Sequence, residues 1–333
     1  MPTFARCIEV GRMMGNPSIL ICAIRSSVFG LGLVFGLPAC AADQPTPVPD
    51  PVNSASSRAI PFDYASQHAP LIVVQARIGE KLEKADVVID TGAAPPFSVF
   101  LSDAAAKRLA LTRSREITPT DSISVGPQQQ SYSTATLPRF ELGPVVLGPT
   151  EIAVTSMIDR MSVGVGRRVD AIVGYHFLRD RTFSIDYESR CIDLAAKPGP
   201  DAGATNFLLA AKKPILLVKA TVNGTGPYTM EIDTGATGTV LSPSAAARAH
   251  VATEGQGVQG GAGGSVQVGV GKAVFGFGGV NRALERIAIS DSMTTISAGA
   301  GTPIDGILGT DFFQGTRLTI DYSSHRLWLG SGK

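Results

Sequence analysis

The triplet Asp-Thr-Gly occurs twice in this chain, at Asp90-Thr91-Gly92 and Asp233-Thr234-Gly235. Val87-Val88-Ile89 leads into the first copy and Met230-Glu231-Ile232 into the second. Two carboxylates held a few ångströms apart cannot both ionise cheaply, so one keeps its proton. The ionised partner can then take a proton from a water between them. The protonated partner can hydrogen-bond a substrate carbonyl and stabilise the oxyanion that develops there. This chemistry needs no metal, serine, cysteine or other cofactor. The hydroxyls of Thr91 and Thr234 are placed to cross-link the two turns, and Gly92 and Gly235 allow tight turns and close approach. One triplet alone would carry little, because a glycine turn after a strand is common.

The two triplets belong to a longer repeat. Residues 70–78 match 214–222 at an offset of 144, and the aspartates follow at an offset of 143. Further on, Asp170-Ala171-Ile172-Val173-Gly174 matches Asp305-Gly306-Ile307-Leu308-Gly309, and Ser184-Ile185-Asp186-Tyr187 matches Thr319-Ile320-Asp321-Tyr322, both at an offset of 135. Order is kept and the offset drifts by a few residues, so a whole lobe is duplicated and fused rather than a short solenoid unit repeated.

Each half must therefore supply the same elements. A short strand, a turn and a strand into Asp-Thr-Gly come first. A small helix follows, at 103–109 in one half and 245–249 in the other, the second opened by Ser242 as N-cap with Pro243 at the first helical position. Gly-rich hairpin sequence comes next, then an apolar pair before Gly174 or Gly309, a short aromatic helix and a closing hairpin. In those hairpins residues 185–187 are expected to pair with 191–194, and 320–322 with 326–329. Many short strands and turns predict a mostly β protein with minor helix.

The 333 residues suffice for two lobes with real cores. Charged residues are 17% and the formal net charge is +1, which gives no electrostatic case for nucleic acid or an acidic membrane surface. Of the four cysteines (7, 22, 40 and 191) only Cys191 lies in the body, so no internal disulfide is expected there. Arg25, an apolar run over 28–37 and Pro38-Ala39-Cys40-Ala41-Ala42 have the order of a secretory signal, too short for a membrane span. Translation could begin at Met13 or Met14. Leu37-Pro38-Ala39-Cys40 resembles a bacterial lipobox that would lipidate Cys40; ordinary cleavage near Ala41 or Ala42 is the other reading. The chain thus divides into a signal peptide over 1–41, a flexible linker over 42–66 and lobes over 67–200 and 201–333. An exported, periplasmic or cell-envelope location follows, with membrane contact only through a lipid anchor.

These motifs resemble those of aspartic proteases of the pepsin and retroviral-protease clan. The likeness rests on Asp90-Thr91-Gly92-Ala93, Asp233-Thr234-Gly235-Ala236-Thr237, Ile172-Val173-Gly174 and Ile307-Leu308-Gly309, and spans about residues 67–330. The motifs are closer to the bacterial retropepsin-like group, and the fused layout is similar to pepsin. The resemblance implies a bilobal acid-protease fold, with two homologous β-barrel-like lobes, short helices and a cleft between them. It implies peptide-bond hydrolysis by Asp90 and Asp233, with Thr91, Gly92, Thr234, Gly235 and Thr237 in support. The substrate would be an extended peptide or unfolded protein, and the enzyme a monomer, a homodimer being the alternative. Pepsin-like enzymes often carry Ser or Thr after the triplet. Ala93 and Ala236 stand there instead, so fewer hydrogen bonds to the ionised form should leave the pair's pKa values higher.

Flap tips in such a fold would fall at 126–132, with Gly126 and Tyr132, and at 261–265, with Gly263 and Gly264. Tyr132 reads either as a substrate contact or as an ordinary hairpin residue, and the run 255–279 either as a flap or as a disordered surface loop. The first triplet departs from the second by three extra residues before its serine and by Pro95-Pro96, which should reshape the loop beside the site. Residues 255–260 match a dinucleotide fingerprint but lack its βαβ setting. His68, His176, His250 and His325 show no metal spacing. Asp170, Asp305, Asp186 and Asp321 are repeated acids best read as turn and strand-end ligands. Two further readings stay open: a catalytically inactive peptide-binding or envelope-interaction protein, and lobes paired between two chains.

Overall fold

The strands Ile72–Ile78 and Leu216–Val222 share one burial pattern, three buried residues and then strict alternation. Each carries an apolar face inward and polar residues such as Gln75, Arg77, Lys219 and Thr221 outward, as period-two geometry demands. A computed structural model describes residues 59–94, 96–119, 125–126 and 128–332 of the chain. The leader with Cys40, most of the linker, and Pro95 and Pro127 lie outside the described residues.

Both halves build the same frame. The strand Glu83–Ile89 runs antiparallel to Ile72–Ile78 and parallel to Ala171–Val173. In the second half Thr225–Ile232 runs antiparallel to Leu216–Val222 and parallel to Gly306–Leu308. The short apolar strands are closed on their other side by Phe100–Ser102 and Val240–Leu241. These buried positions explain why Ala171-Ile172-Val173 and Gly306-Ile307-Leu308 are continuous apolar runs rather than alternating ones.

Matching polar ties hold the frames. Asp170 accepts from the Asp86 N–H at 2.9 Å and pairs with Arg108 at 3.0 Å. Asp305 accepts from the Thr229 N–H at 2.8 Å and pairs with Arg248. The helices Asp103–Arg108 and Pro243–Arg248 are capped by Ser102 and Ser242, whose hydroxyls accept from the N–H of Ala105 and Ala245. Each cap contributes about 1 kcal/mol to its short helix.

The two halves are sewn together by a shared antiparallel sheet. Thr182–Asp186 pairs with Thr316–Asp321, setting Phe183 against Ile320 and Ile185 against Leu318. All four side chains are fully buried. The expected closing hairpins flank this seam, with Ile185 opposite Ile192 and Ile320 opposite Leu327. The fold is thus mostly β and bilobal, with one continuous apolar core running through both halves.

One segment differs from expectation, and a second takes one of its two readings. Ile60–Tyr64, assigned above to the linker, forms a strand that pairs with Ile72–Ile78 and with Cys191–Asp193. Phe62 anchors it in the core at 4 % exposure. Its counterpart is Thr205-Asn206-Phe207-Leu208-Leu209, which pairs with the other closing hairpin and with Leu216–Val222, and Phe207 is buried as Phe62 is. The repeat therefore begins earlier than its clearest motifs. The Gly-rich run is not a loop: Gly255–Gly261 and Gly264–Phe277 form a hairpin in continuous register from Gly255 opposite Val270 to Gly261 opposite Gly264. Val266, Val268 and Val270 supply a two-residue period that the glycines obscure in the sequence.

Candidate active site

The two Asp-Thr-Gly turns lie back to back at the centre of the fold, each hung from the end of a strand and a parallel neighbour. The Asp90 N–H donates to the Val173 carbonyl at 3.0 Å, and the Asp233 N–H to the Leu308 carbonyl at 3.2 Å. Thr91 and Thr234 are both fully buried and interlock. The Thr91 N–H donates to Thr234 Oγ1, and the Thr234 N–H to Thr91 Oγ1, each at 3.0 Å. Thr91 Oγ1 donates onward to the Ile232 carbonyl and Thr234 Oγ1 to the Ile89 carbonyl, each at 2.8 Å. Each hydroxyl so binds the opposite turn twice, and no buried donor of the four is left unpaired.

This lock brings the carboxyls of Asp90 and Asp233 within hydrogen-bonding reach of one another. Asp90 Oδ1 accepts from the N–H of Gly92 and of Ala93 at 2.9 Å, and Asp233 Oδ1 from the N–H of Gly235 at 2.7 Å. The glycines are sterically required. A Cβ on Gly92 would lie 2.6 Å from Asp233 Cγ, and one on Gly235 would lie 2.5 Å from Asp90 Oδ2. Gly174 and Gly309 make the matching close approach behind the turns, against the Ala93 carbonyl and the Gly238 backbone.

Both aspartates keep a partial opening to solvent. They nonetheless sit deep enough that burial is the main influence on their protonation. Asp90 is raised well above the usual carboxylate range, first by burial and then by the charge of Asp233. Asp233 is raised by burial, offset by the Gly235 N–H and by the hydrogen bond from Asp90. Both carboxyls are thus raised, and the pair holds one proton between them. No group of three or more His, Cys, Asp or Glu side chains among the described residues could hold a metal ion.

The hydrogen bonds of the first turn match those of the second despite its three extra residues. The Tyr175 N–H reaches the Ala93 carbonyl just as the Thr310 N–H reaches the Ala236 carbonyl, at 2.9 Å in both lobes. Thr237 is placed differently from the other support residues: its carbonyl accepts from Thr310 Oγ1, and its hydroxyl makes no hydrogen bond among the described residues. The second turn is braced by Thr239 instead, whose hydroxyl donates to Asp311 at 2.7 Å and accepts from the Gly309 N–H at 3.3 Å.

The hairpin tips meet. The Gly263 N–H donates to the Val125 carbonyl at 2.8 Å, and the Gln128 N–H to the Gly263 carbonyl at 2.9 Å. Gln130 Nε2 donates to the Ala262 carbonyl at 2.7 Å. Gly126 has φ +102° and its missing Cβ would strike the Gly263 carbonyl, so only glycine fits there. Gly264, at the other tip, has φ +112°. Tyr132 packs edge-on against Phe97 at 5.5 Å, where it ties the first hairpin to the loop after Asp90.

Three residues that the sequence did not single out surround the pair. Glu231 is buried two positions before Asp233. Tyr187 and Tyr322, equivalent in the two halves, are buried with hydroxyls that lack a partner among the described residues. Tyr187 feels the charge of Asp233 and Tyr322 that of Asp90, although burial is the larger cause of the rise in both phenols' pKa. Only the repeat of Ile-Asp-Tyr signals the tyrosines, and nothing signals Glu231.

A family model described as aspartyl protease matches the chain over residues 74–177 and 218–312, one stretch in each half. No curated protein matches it.

Proposed function

Because the chain belongs to the aspartyl protease family, we propose that it is an exported endopeptidase that hydrolyses peptide bonds with the pair Asp90 and Asp233. The observation that carries this reading is the proximity of the two carboxyls on turns locked by Thr91 and Thr234. The ionised carboxyl of the pair takes a proton from a water lodged between the two. The protonated one donates a hydrogen bond to the scissile carbonyl and stabilises the tetrahedral oxyanion. Collapse of that intermediate passes a proton to the departing amine and restores the singly protonated pair. The tied hairpin tips offer backbone edges to an extended peptide or an unfolded protein, which binds by strand-like hydrogen bonds. No cofactor enters the mechanism.

The leader supports export, with the order of charge, apolar run and small residues over 25–42. Mass analysis of the mature N-terminus separates lipidation at Cys40 from cleavage near Ala41 or Ala42. The test of the activity is digestion of a casein-type unfolded protein by the wild-type chain, Asp90→Asn and Asp233→Asn. Cleavage by the wild type, blocked by a pepstatin-like inhibitor and lost in both variants, is expected. Equal cleavage by all three, or none by the wild type, would return the chain to the peptide-binding alternative.

A further inference from the structure

In the strand residues that lead into the two aspartates, Val87-Val88-Ile89 and Met230-Glu231-Ile232, one position differs in chemical class. In the first half Val73 is paired with Val88, and Val88 with Ile172. These three belong to a small apolar cluster with Ile158 and Val169, and Ala93 packs against it. In the second half the same register gives Leu217 paired with Glu231, and Glu231 with Ile307. Leu217 and Ile307 belong to an apolar cluster with Met293 and Ile296, touched by Ala94, Ala236 and Val125. A carboxyl thus stands in an apolar wall where its twin is a valine.

Glu231 shares a face with the reacting pair. Alternation along the strand puts it on the same face as Asp233, two residues on, while Ile232 points into the main core. It is 4 % exposed. Its protonation responds to burial and then to the charges of Asp233 and Asp90, and no hydrogen bond reaches it among the described residues. The other buried acids differ. Asp170 is held by Arg108, Arg168 and the Asp86 N–H. Asp186 accepts from the N–H of Glu188 and Ser189, and Asp321 from Ser323 and Ser324. A structural acid in this protein is a partnered acid. An unpartnered one is costly to bury, and the cost is offset when a cation arrives to pair with it away from bulk water.

We propose that Glu231 is a specificity-determining residue that receives a lysine or arginine side chain of the substrate on the second-half side of the scissile bond. The wall of Val73, Val88 and Ile172 on the other side takes an apolar side chain. This rests on the proteolytic reading above and narrows its substrate class to peptides with one basic and one apolar residue flanking the cut.

Matched peptides carrying lysine or norleucine at each flanking position test it, with the full chain as wild type, Glu231→Gln and Glu231→Leu. At one position the wild type should favour lysine in kcat/KM by roughly tenfold to a hundredfold, the range of a charge-assisted hydrogen bond. Glu231→Leu should invert that preference while still cutting the norleucine peptide, which shows that the variant is folded, and Glu231→Gln should fall between. A lysine preference that survives in Glu231→Leu, or none in the wild type, overturns the inference and leaves proteolysis standing. The same peptides with a reduced, uncleavable bond are titrated calorimetrically. A Glu231-dependent lysine preference in binding without any cleavage would uphold the subsite and overturn the hydrolytic reading. Equal binding of both peptides without cleavage would overturn the subsite as well.

Discussion

Thr91 and Thr234 each receive the other's backbone N–H on the hydroxyl oxygen, at 3.0 Å in both directions, across a separation of 143 residues in the chain. Because each hydroxyl also donates to a strand-end carbonyl of the opposite half, one substitution unpairs two groups of that opposite half. Replacing Thr91 or Thr234 by valine keeps the shape and removes the oxygen. That leaves a buried N–H and a buried carbonyl without partners, at about 1–3 kcal/mol each. We expect a fall in thermal midpoint of several degrees and a larger fall in activity, with serine at either site restoring most of both. Calorimetry and peptide cleavage on the four variants check this; a valine variant with wild-type behaviour would refute it.

The glycines after the threonines set the distance between the carboxyls. In Gly235→Ala the new methyl meets Asp90 Oδ2 at 2.5 Å, and in Gly92→Ala it meets Asp233 Cγ at 2.6 Å. The neighbour in each case is the reacting group itself, so relief comes only by pushing the pair apart. Activity should drop by about a hundredfold or more, in line with losing positioned acid–base catalysis, while far-ultraviolet circular dichroism stays that of the wild type. Steady-state kinetics on the two variants settles the matter, and near-normal kcat in both would contradict it.

Acidity should act in two ways. Asp90, Asp233 and Glu231 are all raised from ordinary values of 3.8, 3.8 and 4.5, each chiefly by burial. A folded state that binds these protons more tightly than the unfolded chain gains stability that is complete below the unfolded values. That stability is lost as pH rises through the folded ones. Asp103, lowered first by its hydrogen bond with Lys107, works in the opposite sense: its contribution exists above 3.8 and is lost as pH falls through its folded value. The melting temperature should therefore be highest in mild acid and decline toward neutral pH, and Glu231→Gln should flatten the decline. The rate profile should peak from mildly acidic toward neutral pH, because the singly protonated pair survives there. A melting temperature that climbs steadily from about pH 5 to 8, or a rate peak at gastric-type acidity, would count against this assignment.

Dilution tests whether one chain suffices. The seam pairing Thr182–Asp186 with Thr316–Asp321, and the lock between the turns, both form within a single chain. Specific activity should stay constant from micromolar to nanomolar protein, with a monomeric mass by light scattering throughout. Activity that falls with the square of concentration would mean that the halves pair between chains.

Much of this was legible in the residues. Two Asp-Thr-Gly turns, the apolar pairs before Gly174 and Gly309, and the Ser242-Pro243 helix start are local signals whose physics is short-ranged. What escaped was decided by distant neighbours. Ile60–Tyr64 is too short to announce itself and exists because Cys191–Asp193 and Ile72–Ile78 offer edges on both sides. The glycines of 255–264 leave hairpin and loop both open, because their ladder is made of backbone, which composition does not report. Thr239 does the bracing expected of Thr237 because its strand-side position faces Asp311. A lone glutamate in a strand has no motif at all; Glu231 stands out only beside Val88, once register places the two in equivalent sites.

The seam has a consequence for the history open to this protein. Where an enzyme is assembled from two copies of one gene product, every change is written into both walls of the groove at once. Here Phe183 meets Ile320 inside a single translated molecule, so each wall can be edited alone. Val88 and Glu231, equivalent in register, are one position at which the two halves have diverged in this way.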